Sequence, residues 1–188
     1  MGEAEVENAL EHKTFNHFFT RKLKISARPI CSENRAIISP VDGVVSQIGL
    51  INDSDVFQAK GKSFNLHDFL GRDENHSTTF TNGSFSTFYL SPKDYHRIHM
   101  PFSGTLQSMN YIPGNLFSVN PTTVKSVDNL FARNERLSCI FETKRGPLAV
   151  VLVGAMIVAG IRVVWEHNPF LKNRVIQRFK YPSKGEGV

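Results

Sequence analysis

The longest uncharged apolar run in the sequence extends over fourteen residues, from Leu148 to Ile161. A helix needs about 20 such residues to cross a bilayer, so this run is too short to predict a membrane span. It is rich in Val and Ile and is interrupted by Gly154 and Gly160. β-Branched side chains favour strands, and glycine marks turns. The run therefore predicts buried strands, at Leu148–Val153 and Met156–Val164.

Further segments with strand-like patterns are separated by turns, to which the nine prolines and thirteen glycines contribute. About ten short strands with two small helices indicate a β-rich α+β domain, with an antiparallel barrel or sandwich. At 188 residues the chain fits a single domain, residues 1–188. The other predicted strands are Ala36–Ser39, Val44–Ile51, Val56–Ala59, Phe85–Leu90, Gly104–Ile112, Leu137–Thr143 and Arg174–Tyr181.

Two short helices are predicted between the strands. Thr14 can cap the first, in which apolar side chains between Phe15 and Leu23 fall on one face. The basic residues within Arg21–Lys24 are expected in its last turn, where they suit the helix dipole. Ser63–Leu70 predicts the second helix, and Arg72–His76 predicts a polar loop after it.

The chain is basic, with a formal charge of +5 and an isoelectric point of about 9.3. This charge is compatible with an anionic membrane surface, with nucleic acid, or with a solvated charged face. Nucleic acid is the weakest of the three, because no RNA-binding, zinc-finger or helix-turn-helix pattern accompanies the charge. The basic residues near the two ends are Arg21, Lys22, Lys24, Arg28, Arg162, Lys172, Arg174, Arg178 and Lys180.

The two cysteines, Cys31 and Cys139, are far apart and lack metal-ligand spacing. They do not form a disulfide framework, so reduced thiols in a cytosolic setting are expected.

Two histidines, His96 and His99, follow a predicted strand within Tyr89–Pro101. On a regular strand, positions three apart point to opposite faces. Ser91–Asp94 has the composition of a turn, which would let both imidazoles face one pocket. Binding and catalytic residues are concentrated in such loops, although a structural role for the two histidines is an equally good interpretation.

Asp42 lies before a glycine at the start of a predicted strand. It can be an ordinary turn residue that bonds its own backbone. Alternatively, its carboxylate can orient an imidazole and raise its basicity, as in a Ser–His–Asp triad. Such a triad needs a nucleophile, and composition and spacing do not identify one.

Eight segments contain motifs that follow one another in a fixed order: Thr14–Arg21, Arg28–Ile30, Pro40–Gly49, Gln58–Gly61, Thr87–Pro101, Tyr111–Asn120, Leu130–Arg136 and Val153–Gly160. Together they resemble the bacterial pyruvoyl-dependent phosphatidylserine decarboxylases, and they cover nearly the whole chain.

The resemblance implies a zymogen that cuts itself. Asp42 and His99 would activate a serine in a Leu-Gly-Ser-Thr motif, which attacks the carbonyl of the preceding glycine. The resulting ester breaks by β-elimination into a β chain and an α chain that begins with a pyruvoyl group. Through a Schiff base, this cofactor accepts electrons while phosphatidylserine loses carbon dioxide and becomes phosphatidylethanolamine. His96 would orient the carboxylate or deliver the proton, and Ser118 would line the pocket.

No Gly-Ser-Thr occurs from Met156 to Val188, where the only serine is Ser183, after a proline. The chain is therefore expected to be mostly the β-chain portion of the decarboxylase domain, truncated at the C-terminus, shortened at the N-terminus, and inactive by itself. The expected partners are phosphatidylserine, an anionic membrane surface, the pyruvoyl-bearing α chain and a second copy of the chain. The expected location is peripheral, on the cytoplasmic face of the cell membrane.

Two alternatives belong to other classes of protein. One is a non-catalytic module that binds anionic phospholipid through the basic residues and Phe15, Phe18 and Phe19. The other is a metal-dependent hydrolase with Asp42, His96 and His99 as ligands. No metal is expected under the decarboxylase interpretation.

Overall fold

The computed structural model describes residues 2–166, 170 and 175–181. Over these residues the chain is α+β and rich in strands, as predicted, and its helices are short. None of the described helices is long and apolar enough to cross a membrane. The helices are α1 (Phe15–Phe19), α2 (Leu66–Phe69), α3 (Glu74–Phe80), α4 (Pro121–Ser126) and α5 (Leu130–Arg133). The strands are β1 (Val44–Leu50), β2 (Asp55–Ala59), β3 (Lys62–Asn65), β4 (Ser84–Tyr89), β5 (Gly104–Ile112), β6 (Arg136–Thr143), β7 (Gly146–Val153) and β8 (Gln177–Lys180).

The chain forms two compact units. The first is drawn from Met1–Val45 and Phe88–Ser103, and the second from Ser46–Thr87 and Gly104–Val188. The described strands form open sheets of two, two and four strands, paired as β1-β4, β2-β3 and β7-β6-β5-β8. The pairings of β2 with β3, and of β5 with β6 and β8, are antiparallel, as is that of β6 with β7.

The first unit contains α1 and the loops that carry the predicted histidines. The Thr14 hydroxyl accepts the backbone N–H of His17 at 3.1 Å, so the predicted helix cap is confirmed. The helix ends at Phe19, however, so the basic residues within Arg21–Lys24 follow the helix and do not occupy its last turn. Its length is limited because the chain turns to pair with the N-terminal segment, as the Ala4–Leu23 bridge shows.

The second unit is built on the four-stranded sheet. Most of β5 and nearly all of β6 are buried, with Met109, Leu137 and Phe141 among the least exposed side chains. This unit also contains two apolar clusters, of which the first packs against Ala149 and Val151 of β7. One centres on Phe64 and Leu70, and the other on Leu130. Burial of these side chains is the main favourable term for this unit, at about 25 cal/mol per Å² of apolar surface.

Several predicted elements are wrong. Ala36–Ser39 and Met156–Val164 are not strands. Ala155 and Val158 bond each other in a tight turn, which stops the apolar run from extending as a second strand. The first half of Ser63–Leu70 belongs to β3, and the helix begins only after Asn65 caps it. The predicted loop Arg72–His76 contains the start of α3, since Asp73 caps that helix.

The remaining predicted strands are confirmed to within a few residues. The last of them corresponds to β8, although Arg174 lies outside the described residues. Lys172 and Ser183 also lie outside them.

Candidate active site

Asp42, His96 and His99 all lie in the first unit, on two neighbouring segments. Asp42 is in the turn before β1, and both histidines follow β4. The backbone N–H of His99 donates to the carbonyl of Pro40 at 2.9 Å, and a second main-chain bond of 3.0 Å joins the same two segments. The pairing of these segments brings Asp42 and His99 together, although they are far apart in sequence.

Gly43 permits this pairing. A Cβ at this position would lie 2.8 Å from the carbonyl oxygen of Tyr89, which is closer than a side-chain carbon can approach. Glycine is therefore required directly after Asp42, and the Asp-Gly pair of the sequence has a packing cause.

The carboxylate of Asp42 is bound by an arginine. The Arg28 Nε donates to its two oxygens at 2.9 and 2.8 Å, and a second guanidinium nitrogen also pairs with it. The hydrogen bonds from Arg28 hold the pKa of Asp42 below its usual range, and the proximity of His99 lowers it further. Asp42 is therefore ionised at neutral pH. The same guanidinium also bonds Glu3 at 2.9 and 3.0 Å.

Nε2 of His99 lies 3.0 Å from the hydroxyl of Tyr95, and the two rings stack with their centroids 5.6 Å apart. Tyr95 is buried, and this burial raises the pKa of its phenol. A neutral phenol thus fixes the plane of an exposed imidazole beside an ionised carboxylate. Among the described residues no hydrogen bond joins His99 directly to Asp42, whose oxygens face Arg28.

His96 has a different environment. Its Nδ1 lies 2.9 Å from the carbonyl oxygen of Asp94, and a carbonyl can only accept, so Nδ1 carries the hydrogen. Nε2 is then the nitrogen available for chemistry. The ring packs against Phe19, with the centroids 4.1 Å apart. Asp94 also closes the predicted turn, because its side chain accepts the N–H of Ser91 at 2.7 Å.

Ser118 lies in the second unit, in the loop before α4. Its hydroxyl accepts the N–H of Asn120 at 3.4 Å, which is the geometry of a turn. The role in substrate binding that the resemblance implies for it stays a prediction.

Two residues of the site were missed from the sequence. Tyr95 precedes His99 by four positions, a separation at which side chains meet when the chain coils, and this signal was available. From the sequence, Arg28 is part of a basic cluster and of the motif segment Arg28–Ile30, and neither assigns it a partner. Its pairing with Asp42 depends on the fold, and no local pattern indicates it.

The described residues contain no group of three or more His, Cys, Asp and Glu side chains placed to hold a metal ion. The metal-hydrolase alternative therefore has no support from the described part of the chain.

Comparison with known proteins identifies relatives along nearly the whole chain. A family model described as phosphatidylserine decarboxylase matches residues 15–184. A phosphatidylserine decarboxylase proenzyme of Alcanivorax borkumensis is 59% identical over 166 residues, which are 88% of this chain and 57% of the relative. Proenzymes of the same name from Bordetella pertussis and Ectopseudomonas mendocina are 57% and 51% identical, over 97% and 100% of this chain and 62% and 65% of their own lengths. The chain thus spans about three fifths of the length of these relatives.

Proposed function

Because the chain belongs to the phosphatidylserine decarboxylase family, we propose that it forms most of the β-chain portion of a self-processing enzyme that converts phosphatidylserine to phosphatidylethanolamine and carbon dioxide. The family match over residues 15–184 carries this proposal. The placement of Asp42 beside His99 supports it. An antiparallel sandwich or barrel completed by the α chain is part of the same proposal.

In the proposed self-cleavage, His99 removes the proton from the attacking serine hydroxyl, and that oxygen bonds to the carbonyl carbon of the preceding glycine. The carboxylate of Asp42 stabilises the imidazolium that results. Arg28 keeps Asp42 ionised, and Tyr95 holds the ring of His99 in place. The proton on His99 is then available to the amide nitrogen of the same serine, which leaves when the glycine–serine peptide bond breaks to give the ester.

The pyruvoyl group, when present, supplies an electron sink for cleavage of the carbon–carboxylate bond. The residues of the first unit fit a ketone cofactor. His96 has one nitrogen fixed by a backbone carbonyl, so Nε2 has a defined direction. Nε2 of His96 can hold the substrate carboxylate, or it can deliver the proton that takes the place of the lost carboxylate. Phe19 covers one face of the ring and excludes water there.

We further propose that the protein is peripheral, on the cytoplasmic face of the cell membrane. Large apolar side chains of the first unit face solvent, including Leu10, Phe15 and Ile25, which are 92%, 74% and 102% exposed. Apolar groups beside lysines and arginines suit an anionic membrane surface. The α chain, and a second copy of this chain, are further proposed partners that rest on the family alone.

The test is a fusion of residues 1–188 to the C-terminal part of the Bordetella pertussis relative that follows the matched region. The expected result is cleavage into two chains, an α chain with a blocked, pyruvoyl N-terminus by mass spectrometry, and release of carbon dioxide from phosphatidylserine.

Asp42→Asn and His99→Ala should abolish cleavage. His96→Ala should be cleaved but should not decarboxylate. His67→Ala, which replaces a half-buried histidine of the second unit, is the matched control and should undergo both cleavage and decarboxylation. Absence of cleavage in the parent fusion, or cleavage in His99→Ala, would contradict the proposal.

A further inference from the structure

The second unit contains a cavity of about 260 Å³ that the proposed decarboxylase chemistry does not use. It contains none of Asp42, His96 and His99. Its lining includes Asp73, His76, Ser108, Asn110, Arg178 and Lys180.

The base of the cavity is the pairing of β5 with β8. Lys180 lies opposite Ser108, and Arg178 lies opposite Asn110. Cross-strand partners, and residues two apart on one strand, point to the same face of a sheet. Two cationic and two neutral polar side chains therefore share one face, although nothing in their sequence positions indicates a site.

A chain of polar groups crosses this face from α3. Nε2 of His76 lies 3.1 Å from the hydroxyl of Ser108, and its Nδ1 lies 3.4 Å from Oδ2 of Asp73. The other oxygen of Asp73 accepts the backbone N–H of His76 at 3.2 Å and caps the helix. Ser108 is only 8% exposed, so these groups are held in place by packing. His76 and Ser108 thus form a hydrogen-bonded pair at the cavity, and Asp73 lies near the other ring nitrogen, which has no hydrogen-bond partner among the described residues.

The charges of the cavity are unbalanced. Arg178 donates one N–H to the carbonyl of Gly71 at 2.9 Å, which anchors the guanidinium; its other donors have no hydrogen-bond partner among the described residues. Within the described residues neither Arg178 nor Lys180 forms an ion pair. Of the described residues that line the cavity, only Asp73 carries a carboxylate, so two cations meet one anion among them. A cavity with surplus positive charge and neutral donors attracts an anion.

We propose that this cavity binds a small oxyanion of the phosphate class, with Arg178 and Lys180 as cationic ligands and Ser108 as a hydroxyl donor. The planar guanidinium matches the geometry of two phosphate oxygens, and the ammonium adds a point charge. The phosphate can be that of a free ion or of a phospholipid headgroup. The proposal does not depend on self-cleavage or decarboxylation.

The His76 hydrogen bond makes this binding proton-linked. When the ring is neutral with its hydrogen on Nδ1, its Nε2 accepts a hydrogen bond from the Ser108 hydroxyl. A second proton on the ring reverses this bond, and the Ser108 hydroxyl can then donate to an anion. The other titratable groups that line the cavity are Asp73, from the cap of the same helix, and Arg178, Lys180 and Tyr181, from β8 and the residue after it. Binding of a phosphate dianion should therefore draw a proton onto His76.

The test is calorimetric titration of the 188-residue chain with inorganic phosphate, and co-sedimentation with phosphatidylcholine vesicles. We expect saturable phosphate binding at one site, weakened about tenfold or more in Lys180→Gln and in Arg178→Gln, because each removes one charge-assisted contact.

Lys180 is exposed, so its replacement should not disturb folding. Lys125→Gln, at an exposed lysine on α4, is the matched control and should bind like the parent. Titration in two buffers of different ionisation enthalpy should show proton uptake in the parent and none in His76→Gln.

The outcomes separate the two sources of phosphate. Binding of inorganic phosphate that depends on Arg178 and Lys180 assigns a free anion. Vesicle binding without phosphate binding, lost when both residues are replaced, assigns a lipid headgroup. Binding to neither probe, or binding that both replacements leave unchanged, overturns the proposal. Phosphate binding without proton uptake overturns the role of Ser108 and His76.

Discussion

Replacement of Asn134 by alanine should be among the most destabilising single changes in the second unit. Asn134 is 0% exposed. Its Oδ1 accepts the N–H of Phe117 at 3.0 Å, and its Nδ2 donates to the carbonyls of Phe117 and Gly154 at 2.8 and 2.9 Å. One amide therefore ties the loop after β5 to the ends of β6 and β7.

The size of the effect follows from these three bonds. The two part-buried bonds to Phe117 contribute about 1 kcal/mol net each, and the buried carbonyl of Gly154 left without a partner costs about 1–3 kcal/mol, so Asn134→Ala should lose about 3–5 kcal/mol of unfolding free energy. For a chain of this size, 1 kcal/mol corresponds to about 2–4 °C in Tm. The measurement is urea unfolding followed by circular dichroism. Asn75→Ala changes an exposed asparagine of the same unit and should cost little.

Asn134→Asp gives a second, sharper result. The carboxylate can still accept from Phe117, but it cannot donate to the two carbonyls, and it adds a buried charge. It should therefore be at least as destabilising as Asn134→Ala. A loss below about 1 kcal/mol in Asn134→Ala, relative to Asn75→Ala, would refute this reasoning, because the three bonds would then contribute nothing beyond those made with water.

Three further outcomes are expected. Gly114→Ala should destabilise the chain in thermal unfolding, because its Cβ would lie 2.5 Å from neighbouring main-chain atoms, and an unchanged Tm would contradict this close approach. Hydrogen bonds from Arg28 lower the pKa of Asp42, so their stabilising effect is complete above the unfolded-state pKa of about 4 and is lost as pH falls through the lower folded-state value. Arg28→Gln should flatten this acid-side loss in unfolding measured from pH 6 to pH 3, and an identical pH profile would argue against the ion pair. Burial raises the pKa of the Cys139 thiol to about 12, whereas Cys31 is exposed. Iodoacetamide should therefore label Cys31 and spare Cys139 in the folded chain, as read by peptide mass spectrometry, and equal labelling would show that Cys139 is accessible.

Much of the fold could be predicted from local patterns. Gly104–Ile112 and Leu137–Thr143 have the β-branched and apolar composition of strands, and both form strands at nearly those positions. Thr14 caps a helix as its residue type suggests. The family could also be recognised, because motif order is a property of the sequence itself.

Local patterns failed where tertiary contacts decide the conformation. Met156–Val164 has the composition of a strand, but Met156 and Ile157 are 68% and 67% exposed in a turn region. The sequence of helix α3 lacks apolar residues at helical spacing, so the capping residue Asp73 was its only signal in the sequence. The secondary-structure propensity of a segment is only weak evidence for its conformation, because tertiary packing can override it.

The residue types of the candidate active site came from the sequence, and their partners came from the tertiary structure. Asp42 and His99 could be selected as an acid and a base, yet only the fold places Arg28 on Asp42 and Tyr95 on His99. Propensity and periodicity act between near neighbours along the chain, so the sequence alone indicates most of the strands, the helix caps and the motifs. An ion pair between residues 28 and 42, like the bond from His76 to Ser108, forms only when loop closure brings distant segments together. Which segments meet depends on the burial of the whole apolar surface, and that is a property of the complete tertiary structure.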